Sequence, residues 1–278
     1  MPIGPATGGD VAPTERDGVM LHHERVGSGP RVVLVHGFTQ TSRSWAAIAV
    51  ALAPHHEVVL VDAPGHAGSA NVRADLVAGA ALLGAVGGRA TYIGYSMGAR
   101  FCLHLALARP DLVTRLVLVS GTAGIDDADE RAGRRAADEA LAASIERDGV
   151  PAFLDRWLAL PMFARSGAGS DQRSSAAMSA ARMRERDDRL RNSAAGLASS
   201  LRLAGTGTQA PLWSRLGELT MPVTLMAGAD DAKFVALAER MARAIGDHAE
   251  VCIVTGAGHA VPLDDPEAVV AIVDGQAT

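Results

Sequence analysis

The sequence predicts an α/β protein: a doubly wound, mostly parallel sheet interrupted by one helical insertion. Three observations carry that prediction. Short apolar runs rich in β-branched residues recur along the chain, helical stretches separate the first four of them, and between about residues 122 and 214 the strand-like runs stop. A strand covered on both faces needs a continuous apolar run rather than alternation, which is the pattern of a parallel sheet.

The runs are RVVLVH at 31 to 36, EVVLVD at 57 to 62, TYIGYS at 91 to 96, RLVLVS at 115 to 120, PVTLMAG at 222 to 228 and EVCIVTG at 250 to 256. Each ends in Gly, Ser, Asp or His, so polar residues collect at the carboxyl edge of the sheet, where such folds place their sites. Helical stretches such as SRSWAAIAVALAP and ARFCLHLALARP supply the crossovers. Within the interruption, DERAGRRAADEALAASIERDG, PAFLDRWLAL and SAAMSAARMRERDDRLR carry apolar and charged residues at helical spacing. The expected organisation is a flexible tail over 1–18, a core over 19–121 and 215–278, and a helical cap over 122–214.

At 278 residues, with 48% hydrophobic residues, the chain can bury a substantial core, and its net charge of −5 offers no basic field for a phosphate backbone. No nucleic acid or membrane partner is expected. No apolar run approaches about 18 residues and the amino terminus lacks a signal-peptide pattern, so the expected location is cytoplasmic. Cys102 and Cys252 lie in apolar segments without CxxC spacing and read as buried residues of a reducing compartment. Neither a metal site nor a phosphate-binding loop emerges, and the site calls for no cofactor.

GYSMG at 94 to 98 fits the G-x-S-x-G elbow, in which small flanking residues allow a tight strand-to-helix turn that exposes a serine. Its context agrees, since a strand precedes and a helix follows. Ser96 needs a base, and the base needs a carboxylate to orient it. Asp231 follows the PVTLMAG strand and His259 follows EVCIVTG, which gives the chain order Ser, Asp, His expected of this architecture. Asp230 is the rival acid. His22, His23, His55, His56, His104 and His248 lack a comparable placement, while His36 and His66 lie at sheet edges but precede the serine. In HGFTQ at 36 to 40, Gly37 allows a tight turn, so the amide of Phe38 can pair with that of Met97 as an oxyanion hole.

Arg100 stands four residues after Ser96 in a helix that is otherwise apolar almost all round. An unpaired guanidinium buried there is costly, so it points either to a protein carboxylate or to an anionic ligand.

The segments LVHGFTQTSRSW, LVDAPGHAGS, IGYSMGARFCLHLAL, FLDRWLALPMF, RLRNSAAGLASSLRLAGTGTQAPLW and GADDAKF, with the run from Leu118 through the DERAGRR helix, resemble one family of α/β-hydrolase-fold proteins. That family is 2-succinyl-6-hydroxy-2,4-cyclohexadiene-1-carboxylate synthase of menaquinone biosynthesis. The resemblance runs from about residue 20 to the end. It implies an α/β-hydrolase fold and a lyase that eliminates pyruvate from a small polycarboxylate, with Ser96, Asp231 and His259 as the triad and the serine acting as a base. It further implies substrate contacts from Arg100, Arg134, Arg189, Tyr95 and Trp157, with Arg131, Arg135, Arg186 and Arg191 as neighbouring alternatives to the two cap arginines. Leu158 departs from relatives that carry a polar aromatic residue there. The rival readings are serine hydrolysis of an ester or carbon–carbon bond, and a noncatalytic ligand receptor on the same fold.

Overall fold

A computed structural model describes residues 18–160 and 183–275. The expected tail and most of the expected helix over SAAMSAARM fall outside the described residues. Seven strands form one sheet: β1 (His23–Val26), β2 (Arg31–Val35), β3 (Glu57–Val61), β4 (Ala90–Tyr95), β5 (Val113–Val119), β6 (Val223–Gly228) and β7 (Ala249–Val254). Their order is β1-β3-β2-β4-β5-β6-β7. All neighbours are parallel except β1 against β3, which pair antiparallel from His23 opposite Val61 to Val26 opposite Val58. The chain's six apolar runs supply β2 to β7. The strand over HERV, β1, is an addition to the sequence reading: it has one neighbour and three exposed residues, so no apolar run marks it.

Helices cover both faces. On one side lie α2 (Leu76–Gly87), α3 (Met97–Ala108) and α6 (Ala232–Ile245); on the other lie α1 (Ala46–Leu52), α7 (Val261–Asp264) and α8 (Pro266–Val273). The strands feed the two layers alternately. Val33 and Val35 of β2 pack into the first apolar cluster while Val32 and Leu34 pack into the second, and β5 divides Leu116 and Leu118 from Val117 and Val119 in the same way. Side chains on successive strand residues point to opposite faces, so a run apolar at every position fills both cores at once.

Among the described residues no strand occurs between β5 and β6. The chain there forms α4 (Ala128–Leu158), a helical stretch over 183–189 and α5 (Ala194–Ala204). Asp127 starts α4 by accepting the Glu130 amide at 2.7 Å, with Asp129 and Glu130 in the first turn, where acidic residues oppose the positive helix end. The sequence presents α4 as two helices, and the structure joins them across a kink: Gly149 leaves the helical region with φ +79°, and Pro151 follows. Ser193 caps α5 by accepting the Gly196 amide at 3.0 Å. Ala142, Ile145, Phe153 and Leu154 of α4 pack on Leu197, Ala198 and Leu201 of α5, so these helices have an apolar core of their own. Among the described residues no helix is long and apolar enough to cross a membrane.

Candidate active site

The GYSMG turn joins β4 to α3, and its two glycines are required by space. A Cβ on Gly94 would lie 2.5 Å from the Ala99 backbone nitrogen, and one on Gly98 would lie 2.1 Å from the Val35 carbonyl oxygen. Strand, turn and helix therefore close on one another with only backbone between them. Ser96 sits at their apex with φ +52° and ψ −103°, a conformation that costs about 1–3 kcal/mol for a residue with a side chain. Its amide donates to the Val119 carbonyl at 2.8 Å, which ties the strained turn to β5.

Above Ser96 the structure brings His259 and Asp231 together. His259 Nε2 lies 3.2 Å from Ser96 Oγ, and its Nδ1 lies 2.7 Å from Asp231 Oδ2. A carboxylate at Nδ1 holds the proton there and leaves the Nε2 lone pair toward the serine hydroxyl. Asp231 is itself fixed, because it opens α6 and its Oδ1 accepts the Phe234 amide at 3.4 Å. Asp230, the rival acid, is exposed and makes no such contact with the histidine. The imidazole is buried, with the ring of Phe234 at 4.5 Å and that of Tyr95 at 5.5 Å between centroids. Ser120, at the end of β5 with φ +49°, donates from Oγ to the His259 carbonyl at 2.8 Å. Sequence reasoning did not single out Ser120 or Phe234; only their positions just past a strand and just past the acid could have flagged them.

Phe38 and Met97 both line the cavity over Ser96. The loop turns tightly from Gly37, whose carbonyl accepts the Gln40 amide at 3.1 Å, and its left-handed residue is Thr39, with φ +69°. Gly37 is needed for room, since a Cβ there would lie 2.6 Å from the Tyr95 ring. Two buried histidines hold the loop. His36 Nε2 accepts the Ala63 amide at 3.0 Å while its Nδ1 donates to the Gly37 carbonyl at 2.8 Å; His66 Nε2 accepts the Thr39 amide at 3.3 Å while its Nδ1 donates to the Pro64 carbonyl at 3.0 Å. Both roles need a neutral ring, and burial lowers both pKa values, that of His66 to about 3 with His36 as the second cause. From the insertion, Asn192 Nδ2 donates to the Thr39 carbonyl at 2.6 Å and Arg189 donates to the Thr39 hydroxyl.

The cavity holds about 540 Å³ between the sheet edge and the insertion. Tyr95, Arg100, Arg134, Trp157 and Arg189 all line it. Leu158 is not among its lining residues. Their engagements differ. Arg134 Nε donates to Asp138 Oδ1 at 2.8 Å, one helical turn on, and Arg189 pairs with Glu185 Oε1 at 2.9 Å, one turn back, while its buried Nε has no hydrogen-bond partner among the described residues. Arg100 is 6% exposed and donates to the Ala204 carbonyl at 2.6 Å; among the described residues no carboxylate lies within ion-pair distance of it. Burial, and then the nearby charge of Arg134, lower its pKa to about 10 against the opposing effect of Asp138, so it stays charged at neutral pH. Trp157 stacks on Phe153 at 5.7 Å and meets Phe38 edge-on at 5.4 Å. Burial raises the Tyr95 phenol above its ordinary range, so it remains a neutral hydroxyl. Among the described residues no cluster of His, Cys, Asp and Glu has the makings of a metal site.

Comparison with known proteins gives a consistent result. The family model described as the α/β-hydrolase family matches residues 32–272. A Bacillus subtilis (strain 168) protein with a provisional assignment as 2-succinyl-6-hydroxy-2,4-cyclohexadiene-1-carboxylate synthase is 35% identical over 93% of this chain and 94% of its own. The synthase of that name from Klebsiella pneumoniae (strain 342) is 31% identical over 87% of this chain and 91% of its own. Among solved structures, MenH from S. aureus superposes with a TM-score of 0.82 at 26% identity, covering 92% of this chain and 97% of that one. A thermophilic esterase from Thermogutta terrifontis, solved with malate bound, shares the fold at a TM-score of 0.76 and 23% identity over 92% of each chain.

Proposed function

Because the chain belongs to the α/β-hydrolase family and, within it, to the family of 2-succinyl-6-hydroxy-2,4-cyclohexadiene-1-carboxylate synthases, we propose that it catalyses pyruvate elimination. The substrate is 2-succinyl-5-enolpyruvyl-6-hydroxy-3-cyclohexene-1-carboxylate, and the product is 2-succinyl-6-hydroxy-2,4-cyclohexadiene-1-carboxylate. The observation that carries this reading is Arg100: a buried guanidinium without a carboxylate partner among the described residues, facing the cavity four residues after Ser96. An anion in that cavity compensates it, and a planar carboxylate suits its fork of donors.

In the mechanism, His259 takes the Ser96 proton, and the serine oxygen removes the ring proton α to the succinyl ketone. The C–H electrons form the 2,3 double bond, the ring double bond shifts to the 4,5 position, and the C5–O bond breaks. Pyruvate leaves as its enolate and receives a proton to become pyruvate. Negative charge that develops on the ketone oxygen meets the amides of Phe38 and Met97. The buried imidazole between Phe234 and Tyr95, oriented by Asp231, supports an assisted serine. Arg134, Arg189, Tyr95 and Trp157 shape the rest of the pocket.

The same Ser96 geometry also suits nucleophilic attack on an ester, the chemistry of a serine hydrolase. The deciding experiment follows pyruvate release from freshly generated substrate, corrected for spontaneous decay. Enzyme-dependent release is expected, with a loss of about 10³-fold or more in Ser96→Ala. Release no faster than the spontaneous reaction, with hydrolysis of acidic esters instead, would overturn the lyase reading. Ligand binding with no turnover of either kind would point to a receptor.

A further inference from the structure

Of the 26 Lys and Arg residues in this chain, a single one is lysine, Lys233. That lysine lines the same cavity as Ser96. It lies two residues after Asp231 and directly before Phe234, whose ring packs on His259. The side chain contributes little to the fold: it is exposed, and among the described residues no carboxylate lies within ion-pair distance. Its position is also electrostatically unfavourable, because it stands in the first turn of α6, where the helix dipole disfavours a cation.

The cations around the cavity fall into two kinds. Arg134 is balanced by Asp138 and Arg189 by Glu185. Arg100 and Lys233 have no carboxylate within ion-pair distance among the described residues, although the more distant Asp138 acts on Arg100. One reaches the cavity from the helix after the elbow, the other from the end of β6, two strands over in the sheet. Two separated cations without an ion-pair partner among the described residues, around one reacting centre, suit a ligand with two separated carboxylates. The difference in side chain fits the difference in place. Arg100 is buried, where a preorganised fork holds a dry carboxylate; Lys233 is exposed, where a compact ammonium pairs with an anion that keeps part of its water.

We propose that Lys233 is a substrate-positioning residue that takes a second carboxylate of the substrate, apart from the one held by Arg100. The proposal rests on the lyase reading above, and its test separates the two. Pyruvate release is measured for the full chain, Lys233→Met and Lys233→Arg at low and high salt. The Met variant is expected to raise KM about ten-fold or more with a much smaller change in kcat, and the Arg variant to recover most of the loss. Salt should raise the wild-type KM more steeply than that of the Met variant, because an exposed ion pair is screened and a purely structural lysine is not part of one. Wild-type turnover with an unchanged KM and salt response in Lys233→Met would overturn the proposal while leaving the lyase intact.

If the wild type releases no pyruvate, the lyase reading fails by itself, and a second measurement decides Lys233. An amine-reactive acylating reagent is followed by peptide-level mass spectrometry with and without succinate, after hydroxylamine has removed any ester on Ser96 or another hydroxyl; with one lysine in the chain, the side-chain amide that remains is read at the Lys233 peptide. Slower labelling in succinate, but not in a neutral amide of the same size, supports a carboxylate site. Equal labelling rates overturn it.

Discussion

Arg100 and Ser96 show how much of this site depends on what surrounds a single residue. The arginine is held by one carbonyl, that of Ala204, with no carboxylate within ion-pair distance among the described residues, so an anion that enters the cavity gains a direct pairing with it. Replacing it with Met keeps the apolar stem and removes the charge. Arg100→Met is therefore expected to lower kcat/KM for the carboxylated substrate by roughly 10- to 100-fold while leaving hydrolysis of a neutral ester within about two-fold. Equal losses in the two assays would show that Arg100 shapes the pocket rather than binding an anion. Ser120 acts at one remove, through the His259 carbonyl. Ser120→Ala is expected to reduce kcat several-fold with KM nearly constant, and a changed KM alone would argue against that role.

At the scale of the element, the strand–turn–helix unit around Ser96 was legible because its requirements are local. A strand buried on both faces must be apolar throughout, and the close approach of β2, β4 and α3 admits no side chain at two positions of the turn. Gly98→Ala places its methyl group against the Val35 carbonyl and is expected to lower stability by about 3 kcal/mol or more, read as a fall in the urea midpoint. A midpoint within experimental scatter of the wild type would mean that the elbow can spread. Elements whose cause is remote were not legible. The strand β1 exists because β3 offers it an edge, and HERV carries no apolar run to announce it. The left-handed conformation of Thr39 was likewise not legible, and the partners of its carbonyl and hydroxyl, Asn192 and Arg189, lie some 150 residues on. Lys233 passed unremarked in sequence because an isolated cation ordinarily reads as a solvated face.

For the whole molecule, the two apolar layers enclose polar groups whose protonation is linked to folding. His36 and His66 are neutral in the fold, with pKa values lowered by burial, and regain an ordinary value near 6.5 on unfolding. Below that pH the unfolded chain binds more protons than the folded one, so stability falls as pH falls. For His66 the loss approaches about 1.4 kcal/mol per pH unit between 6.5 and its folded value of about 3. Urea midpoints measured from pH 7.5 to 4.5 should decline, and His66→Asn should flatten the decline while lowering stability at pH 7.5. A slope unchanged by that substitution would assign the acid sensitivity to other groups. The overall architecture was the easiest feature to anticipate, since it follows from the order of apolar runs. The pairing of Arg134 with Asp138 and of Arg189 with Glu185 was available in their spacing of four residues, though only the fold shows that both pairs face the cavity.

The insertion leaves the core after β5 and returns before β6, an arrangement that invites its exchange between relatives like a detachable module. Phe38 opposes such an exchange. Its ring belongs to the packing of the core and also to that of Phe153 and Trp157. A grafted insertion with other residues at those two positions would leave the ring without its seat, and the neighbouring backbone would shift with it. The piece that looks most portable in this chain is thus constrained by an aromatic residue on the far side of the join, and a successful chimera must choose the two together.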